Sequence, residues 1–341
     1  MDLDLTILEE LINIYSPSNH EQDLCNYIKN IPVKNFKLIN RQITSLTYYL
    51  DNKSDKTLLV DAHIDEVCSK IINITTEGFI LATGVGQSSK MMFARPAKIM
   101  SSKLNKLVSG VYLNDVPHIA RTRKKYRDKY NENMLYFDIG VKTKEEALEK
   151  VEIGDPIIPD YTYSYLNDNM FVGRALDNKV GTFILIKLLK YFDKNKDKSK
   201  YNLLFNFSGK EETGSISYLQ FQKFKIHSIL VLDTAWSTDV PFIDDNKYGD
   251  INLGDGIVIS RGSDDSGLFD VFRNLSKTHK IPLQIEYPMG GSTNLGAFSK
   301  FNTFTQNIAI PIRNIHSPTE IINIDDIRKM YELLKLFIKY S

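Results

Sequence analysis

Five short segments carry acidic or imidazole side chains in contexts that suit activation of a hydrolytic water. They are Ala62-His63-Ile64-Asp65-Glu66, Gly173-Arg174-Ala175-Leu176-Asp177-Asn178, Gly209-Lys210-Glu211-Glu212-Thr213-Gly214, Leu230-Val231-Leu232-Asp233 and Asn314-Ile315-His316-Ser317-Pro318-Thr319-Glu320. A hydrolytic pair of divalent ions roughly 3.5–4 Å apart needs a carboxylate shared by both, further ligands for each, and a base that moves the water's proton. Histidine and carboxylate donors suit zinc, cobalt or manganese. Cys25 and Cys68 are too few for a thiolate zinc site or a disulfide framework and read as small buried residues.

Each segment alone has an ordinary reading. A lone histidine is commonly structural, Asp233 could cap a turn, and Glu211-Glu212 could open a helix where the dipole favours acids. Their combination is more telling, because several of these residues follow apolar strands in one α/β framework. Residues 57–62 read as a buried strand running into His63, residues 203–207 lead toward Glu211-Glu212, and residues 229–232 lead into Asp233. Open α/β sheets place their sites at the carboxyl ends of strands. His20, His118, His227 and His279 lack comparable neighbours and read as surface or structural residues.

The elements that must position these groups follow from periodicity. Residues 5–15 have helical spacing, and Ser18-Asn19-His20-Glu21 reads as a capping box opening a second helix. Residues 67–163 change texture to short β-like runs broken by Gly, Pro, Asn and Lys, which predicts a small β-rich domain inserted into a larger one spanning 1–66 and 164–341. Beyond Gly173, helices at 178–191, 216–224, 267–278 and 325–340 alternate with strands at 201–207, 228–233, 256–260 and 283–287. This predicts an α/β fold, a mixed sheet sandwiched by helices.

The 341 residues, 42% hydrophobic and 25% charged, can bury a substantial core. Forty-three basic residues nearly cancel 42 acidic ones, so the balance gives no support to nucleic-acid or acidic-membrane binding. The one basic run, residues 121–129, also contains Asp128 and reads as a solvated face. The opening residues carry no leader-like pattern and no apolar stretch is long enough to span a bilayer, so the expected setting is cytoplasmic.

The ordered motifs His-x-Asp-Glu, Gly-Arg-Ala-x-Asp-Asn, Glu-Glu-x-Gly, a strand-final Asp and His-Ser-Pro-x-Glu resemble the glutamyl, deblocking and tetrahedral aminopeptidases, family 42 of the metallopeptidases. The resemblance covers essentially the whole chain. It implies a co-catalytic zinc-exopeptidase fold with two divalent ions per subunit, zinc first, with cobalt or manganese as alternatives. His63 and Asp233 would hold one ion, Glu212 and His316 the other, and Asp177 would bridge them. Glu211 would be the general base that takes the proton from the attacking water and passes it to the leaving amine, and Asp65 would orient His63. In sites of this kind the peptide after the bridging aspartate is commonly cis, which predicts a cis Asp177–Asn178 bond.

The implied activity is removal of N-terminal residues from short peptides with a free N-terminus, in a homo-oligomer packed through the inserted domain, with a dodecamer as the candidate assembly. A related dimetal deacylase or carboxypeptidase, or a non-catalytic peptide-binding protein that kept the fold, is the alternative. The chain departs from the family's Gly-Gly-Thr-Asp at Gly290-Gly291-Ser292-Thr293-Asn294, from Arg-Tyr at Arg313-Asn314, and from a Gly-Gly-Trp-like segment at Gly84-Val85-Gly86. Tyr248, Asp264 and Asp265 are candidate contacts to the N-terminal side chain, whose identity the sequence leaves open.

Overall fold

A computed structural model describes residues 4–42, 44–87, 89–114, 134–214, 218–262, 267–287, 293–298 and 300–341. The basic run 121–129, His118, Asp264, Asp265 and Gly290 to Ser292 lie outside the described residues. The chain divides into two units, one of Met1–Asp65, Tyr163–Ile315 and Glu320–Ser341, the other of Glu66–Thr162 and His316–Thr319.

The larger unit begins with helices α1 (Thr6–Asn13) and α2 (Gln22–Lys29) and strands β1 (Lys37–Arg41), β2 (Leu46–Leu50) and β3 (Thr57–His63). The smaller unit contributes β4 (Cys68–Ile74), β5 (Ile80–Val85), β6 (Pro96–Ser101), β7 (Lys106–Tyr112), β8 (Met134–Asp138), helix α3 (Lys144–Leu148) and β9 (Pro156–Pro159). Its strands close as a barrel in the order β4-β5-β8-β7-β6-β9, around Ile71, Ile80, Ile99, Tyr112, Phe137 and Ile157. Closure leaves the short, alternating strands of this segment without free edges.

The chain then returns through β10 (Tyr163–Asn167), β11 (Met170–Gly173), helix α4 (Leu176–Lys194), β12 (Asn202–Ser208), β13 (Ile226–Trp236), helix α5 (Asp245–Tyr248), β14 (Ile257–Ser260), helix α6 (Leu268–His279), β15 (Leu283–Glu286), helix α7 (Leu295–Phe298), β16 (Phe304–Arg313), β17 (Glu320–Asn323) and helix α8 (Ile324–Tyr340). The mixed sheet runs β1-β2-β12-β3-β13-β16-β17-β11-β10, with β14 on β16 and β15 on β14. Its centre, β12, β3, β13 and β16, is parallel. Parallel strands need cover on both faces, and all seven residues of β3 are buried.

Alternate residues of β3 serve different faces. Leu58, Val60 and Ala62 join the main core with Val180, Phe183 and Ile184 of α4 and Leu334 and Phe337 of α8. Leu59 joins a smaller cluster with Leu204, Phe221, Ile229, Val231 and Phe298. Asp61 and His63, at even spacing from Leu59, share that second face, which turns from apolar to polar toward the carboxyl ends of the strands.

Three sequence expectations need correction. Among the described residues of 216–224 there is only a 3-10 turn, Leu219–Phe221. Ser18 and Glu21 make no capping box: α2 has no side-chain cap, and both side chains reach far along the chain instead. Asp233 is not strand-final, because β13 continues to Trp236 in parallel register with β16. No helix among the described residues is long and apolar enough to cross a membrane.

Candidate metal centre

His63 ends β3, with its ring buried. Its Nδ1 lies 3.2 Å from the backbone carbonyl of Asp65, closer than the 3.6 Å to the Asp65 carboxylate. A carbonyl can only accept, so it fixes the tautomer with hydrogen on Nδ1 and turns the Nε2 lone pair into the site. There Nε2 faces Asp177 Oδ1 at 3.2 Å and Asp233 Oδ1 at 3.7 Å.

Asp177 stands at the kinked start of α4, where the Asp177–Asn178 peptide is cis as expected. Its N–H donates to Glu320 at 3.0 Å. Asn178 locks the turn: its Nδ2 donates to the Leu232 carbonyl at 2.6 Å and its Oδ1 accepts from Gly181 N–H at 2.9 Å. Asp233 reaches the same point from inside β13, and its Oδ1 accepts from Thr234 N–H at 2.8 Å.

Glu211 and Glu212 lie in a 3-10 turn, Glu211–Thr213, directly after β12. Their N–H groups donate to the two oxygens of Asp65 at 3.0 and 3.1 Å. The Asp65 carboxylate, also bonded by the Ser18 hydroxyl at 2.5 Å, therefore holds the Glu-Glu turn, while its carbonyl holds His63. Glu21, fully buried, extends the grip by accepting from Lys210 N–H at 3.1 Å and Asn19 N–H at 3.0 Å. Three consecutive backbone N–H groups, 210 to 212, thus point at two carboxylates.

Donor atoms of His63, Asp177 and Asp233 lie within 4.8 Å of one another, as do those of His63, Glu211 and Glu212. Burial would lower the His63 pKa, but bonds to Asp177, Asp233 and Asp65 hold it well above its ordinary value. Glu211 is pushed up to about 8 by burial, with His63 opposing and Asp233, Asp177 and Asp65 adding to the rise. Burial raises Asp233 as well. A crowded set of buried carboxylates around one imidazole calls for positive charge between them, and the oxygen and nitrogen donors match zinc, cobalt or manganese. The residues fit divalent metal.

Of the residues singled out in the sequence, His63, Asp65, Asp177, Glu211, Glu212 and Asp233 converge in the larger unit. His316, with φ of 58°, follows β16 in a segment that belongs to the smaller unit. Tyr248 is exposed and packs on Trp236, and His227 rests against Phe304 and Tyr201 away from these groups. Both cysteines are buried, and neither is in a disulfide among the described residues.

Sequence reading missed Ser18, Glu21 and Asp61. Asp61 is fully buried beside the site and accepts from Asn206, Ser208 (3.1 Å) and Asn294 (2.5 Å). The signal for Asp61 is a carboxylate inside an otherwise apolar strand; for Ser18 and Glu21 there is none beyond the misleading cap pattern.

A mixed sheet with helices and a small six-stranded barrel domain matches the zinc-exopeptidase-like fold of the TET aminopeptidases. The chain shares its fold with the TET aminopeptidase of a marine sediment archaeon, Thaumarchaeota archaeon SCGC AB-539-E09, at a TM-score of 0.88 and 22% identity over 98% of this chain and 96% of that one. The Pyrococcus horikoshii TET1 peptidase, which can assemble into a tetrahedron or a large octahedral shell, aligns at a TM-score of 0.83 with 24% identity over 99% of both chains. FrvX of Escherichia coli (strain K12) is 26% identical over 349 residues, 98% of this chain and 95% of that protein. Residues 45–333 match the M42 glutamyl aminopeptidase family model, and the chain belongs to that family. It is an aminopeptidase, a peptide hydrolase.

Proposed function

We propose that this chain removes N-terminal residues from short peptides by a two-metal mechanism, with Glu211 as the general base. The observation that carries the reading is the convergence of His63, Asp177 and Asp233, with Glu211 and Glu212 alongside. His63 and Asp233 would hold one divalent ion, Glu212 and His316 the other, and Asp177 both. When bound, such ions polarise the scissile carbonyl and lower the pKa of water to roughly 7.

The remaining steps belong to the protein. The Glu211 carboxylate takes a proton from the attacking water and delivers it to the leaving amine nitrogen. The backbone bonds from Glu211 and Glu212 to Asp65 hold base and ligand in fixed relation, so that one carboxylate meets metal and the other meets water. The carboxylates around the site would receive the free α-ammonium of the substrate, which restricts cleavage to chain ends. The barrel unit serves as the oligomerisation domain of a homo-oligomer, with a dodecamer as the candidate assembly, and the work is cytoplasmic peptide breakdown.

The test is release of free amino acids from an unblocked peptide library by chelator-stripped protein, with zinc, cobalt or manganese restored separately. Metal-restored trimming that stops when the N-terminus is acetylated is the expected result. Silence under every metal, or equal cleavage of acetylated peptides, removes the reading.

A further inference from the structure

Along the face that carries the metal ligands, Asn206 of β12, Asp61 of β3, Val231 of β13 and Asn307 of β16 stand side by side in register. Asn307 passes the row on to β14, where its Nδ2 donates to the Ser260 hydroxyl at 3.1 Å. Ser260 in turn pairs with Glu286 of β15 and donates its hydroxyl to the Glu286 carboxylate at 2.6 Å. Val231 and Asp233 are two residues apart on one strand, so Glu286 and Asn307 face the same side as the metal site, one step back from its edge.

Two features of this row ask for a donor. Asn307 is 5% exposed, its Nδ2 is committed to Ser260, and its Oδ1 is buried with no hydrogen-bond partner. Glu286 is only partly exposed, and no lysine or arginine among the described residues pairs with it. Burial raises its pKa, the Ser260 bond opposes that, and the charge it senses is another acid, Asp233. A buried acceptor without a donor costs roughly 1–3 kcal/mol, and a half-buried carboxylate without a cation adds to that cost. Both deficits end at the Ser260 hydroxyl.

β15 lies three strand spacings from β13, about 14 Å at ~4.8 Å per strand. The Glu286 carboxylate leans back over β14 to Ser260, and Ser260 is bonded to Asn307 on β16, so the polar cluster starts one strand spacing, about 5 Å, from β13 and lies within reach of a long side chain from a group bound at the metal ligands, not of a short one. We infer that Glu286, with Asn307 and Ser260, receives the cationic head of an N-terminal lysine or arginine, making this a peptidase for basic N-terminal residues. The inference rests on the aminopeptidase reading above. It gives the Glu286 carboxylate its counter-ion and the Asn307 Oδ1 a donor, which a neutral side chain of equal length cannot do.

The deciding experiment compares metal-restored enzyme on lysyl, arginyl, norleucyl, leucyl and glutamyl para-nitroanilides. Norleucine matches the lysine stem without its ammonium, so the lysine-to-norleucine ratio of kcat/KM isolates the charge. A ratio of about ten or more is expected in the native protein, since sites built for a polar group reject analogues lacking it. In Glu286→Gln the ratio should fall toward one. A native ratio at or below one, with norleucine or leucine turned over well, overturns the inference and leaves the aminopeptidase standing. An unchanged ratio in Glu286→Gln also overturns it. No release from any substrate removes the aminopeptidase reading and this one with it. The native ratio needs no variant, so a poorly folding Glu286→Gln does not obscure the outcome.

Discussion

Among single residues, Glu211 and Asn294 lend themselves to direct tests. Glu211→Gln keeps the shape of the turn and its bond to Asp65 but cannot accept a proton, so metal content should remain near native while kcat falls by about 10²–10⁴. Metal analysis beside steady-state kinetics checks both halves. Asn294 explains its own departure from the family's aspartate. Its Nδ2 donates to Asp61 and to Ser208, so a carboxylate there would face a second buried carboxylate with no proton between them. Asn294→Asp should destabilise the protein by roughly 2–4 kcal/mol at neutral pH. Burial already raises Asp61 to about 6, so the deficit should shrink as pH falls below that value and one carboxyl of the pair takes up a proton; thermal melts of both proteins across pH read this out.

At the scale of elements, the 210–212 turn is held from outside. Glu21 and Asp65 receive its three N–H groups, and Ser18 steadies Asp65. Glu21→Ala leaves two N–H groups short of an acceptor and should cost about 2 kcal/mol, with kcat down about tenfold or more and KM little changed. Glu21→Gln, which still offers an oxygen, should recover most of the rate. The sign of the pH effect distinguishes charge from shape. Burial, then Asp65, raises Glu21 from 4.5 to about 7, so its contribution favours folding below 4.5 and is lost as pH rises through about 7. Glu21→Gln lacks that slope and should gain stability relative to the native protein between pH 5 and 8. Here the sequence misleads for a physical reason. A Ser-x-x-Glu spacing can close on itself within four residues, whereas these side chains bond partners 47 and 189 residues away. His63 and the Glu211-Glu212 turn are legible because each follows an apolar strand at the position where open sheets place their sites, whereas Asp233, read the same way, lies inside β13. Glu286 and Asn307 are not legible, because only cross-strand register brings them beside Ser260.

For the whole molecule, the alternation of helix and strand after Gly173 and the β-like texture of residues 67–163 make the α/β class and a β-rich insert readable, while barrel closure is set by pairings such as β4 with β9, which no local pattern encodes. The departure at Gly84-Val85-Gly86 falls at the end of β5 of that barrel. Sedimentation of the native chain should nonetheless give a homo-oligomer of many copies, and a charge introduced at exposed Val111 or Tyr136 of the barrel should dissociate it if those side chains are covered on assembly. A monomer at micromolar concentration would remove the oligomerisation role of the insert.

The bond from Asp177 N–H to Glu320 spans 143 residues and ends in β17, the last strand made. During synthesis, the residue that would bridge the two ions therefore waits for a strand made 143 residues later before its backbone is tied down. A nascent or prematurely terminated chain ending short of Glu320 carries most of the ligands but lacks that anchor. The anchoring of Asp177 is thereby tied to the making of β17.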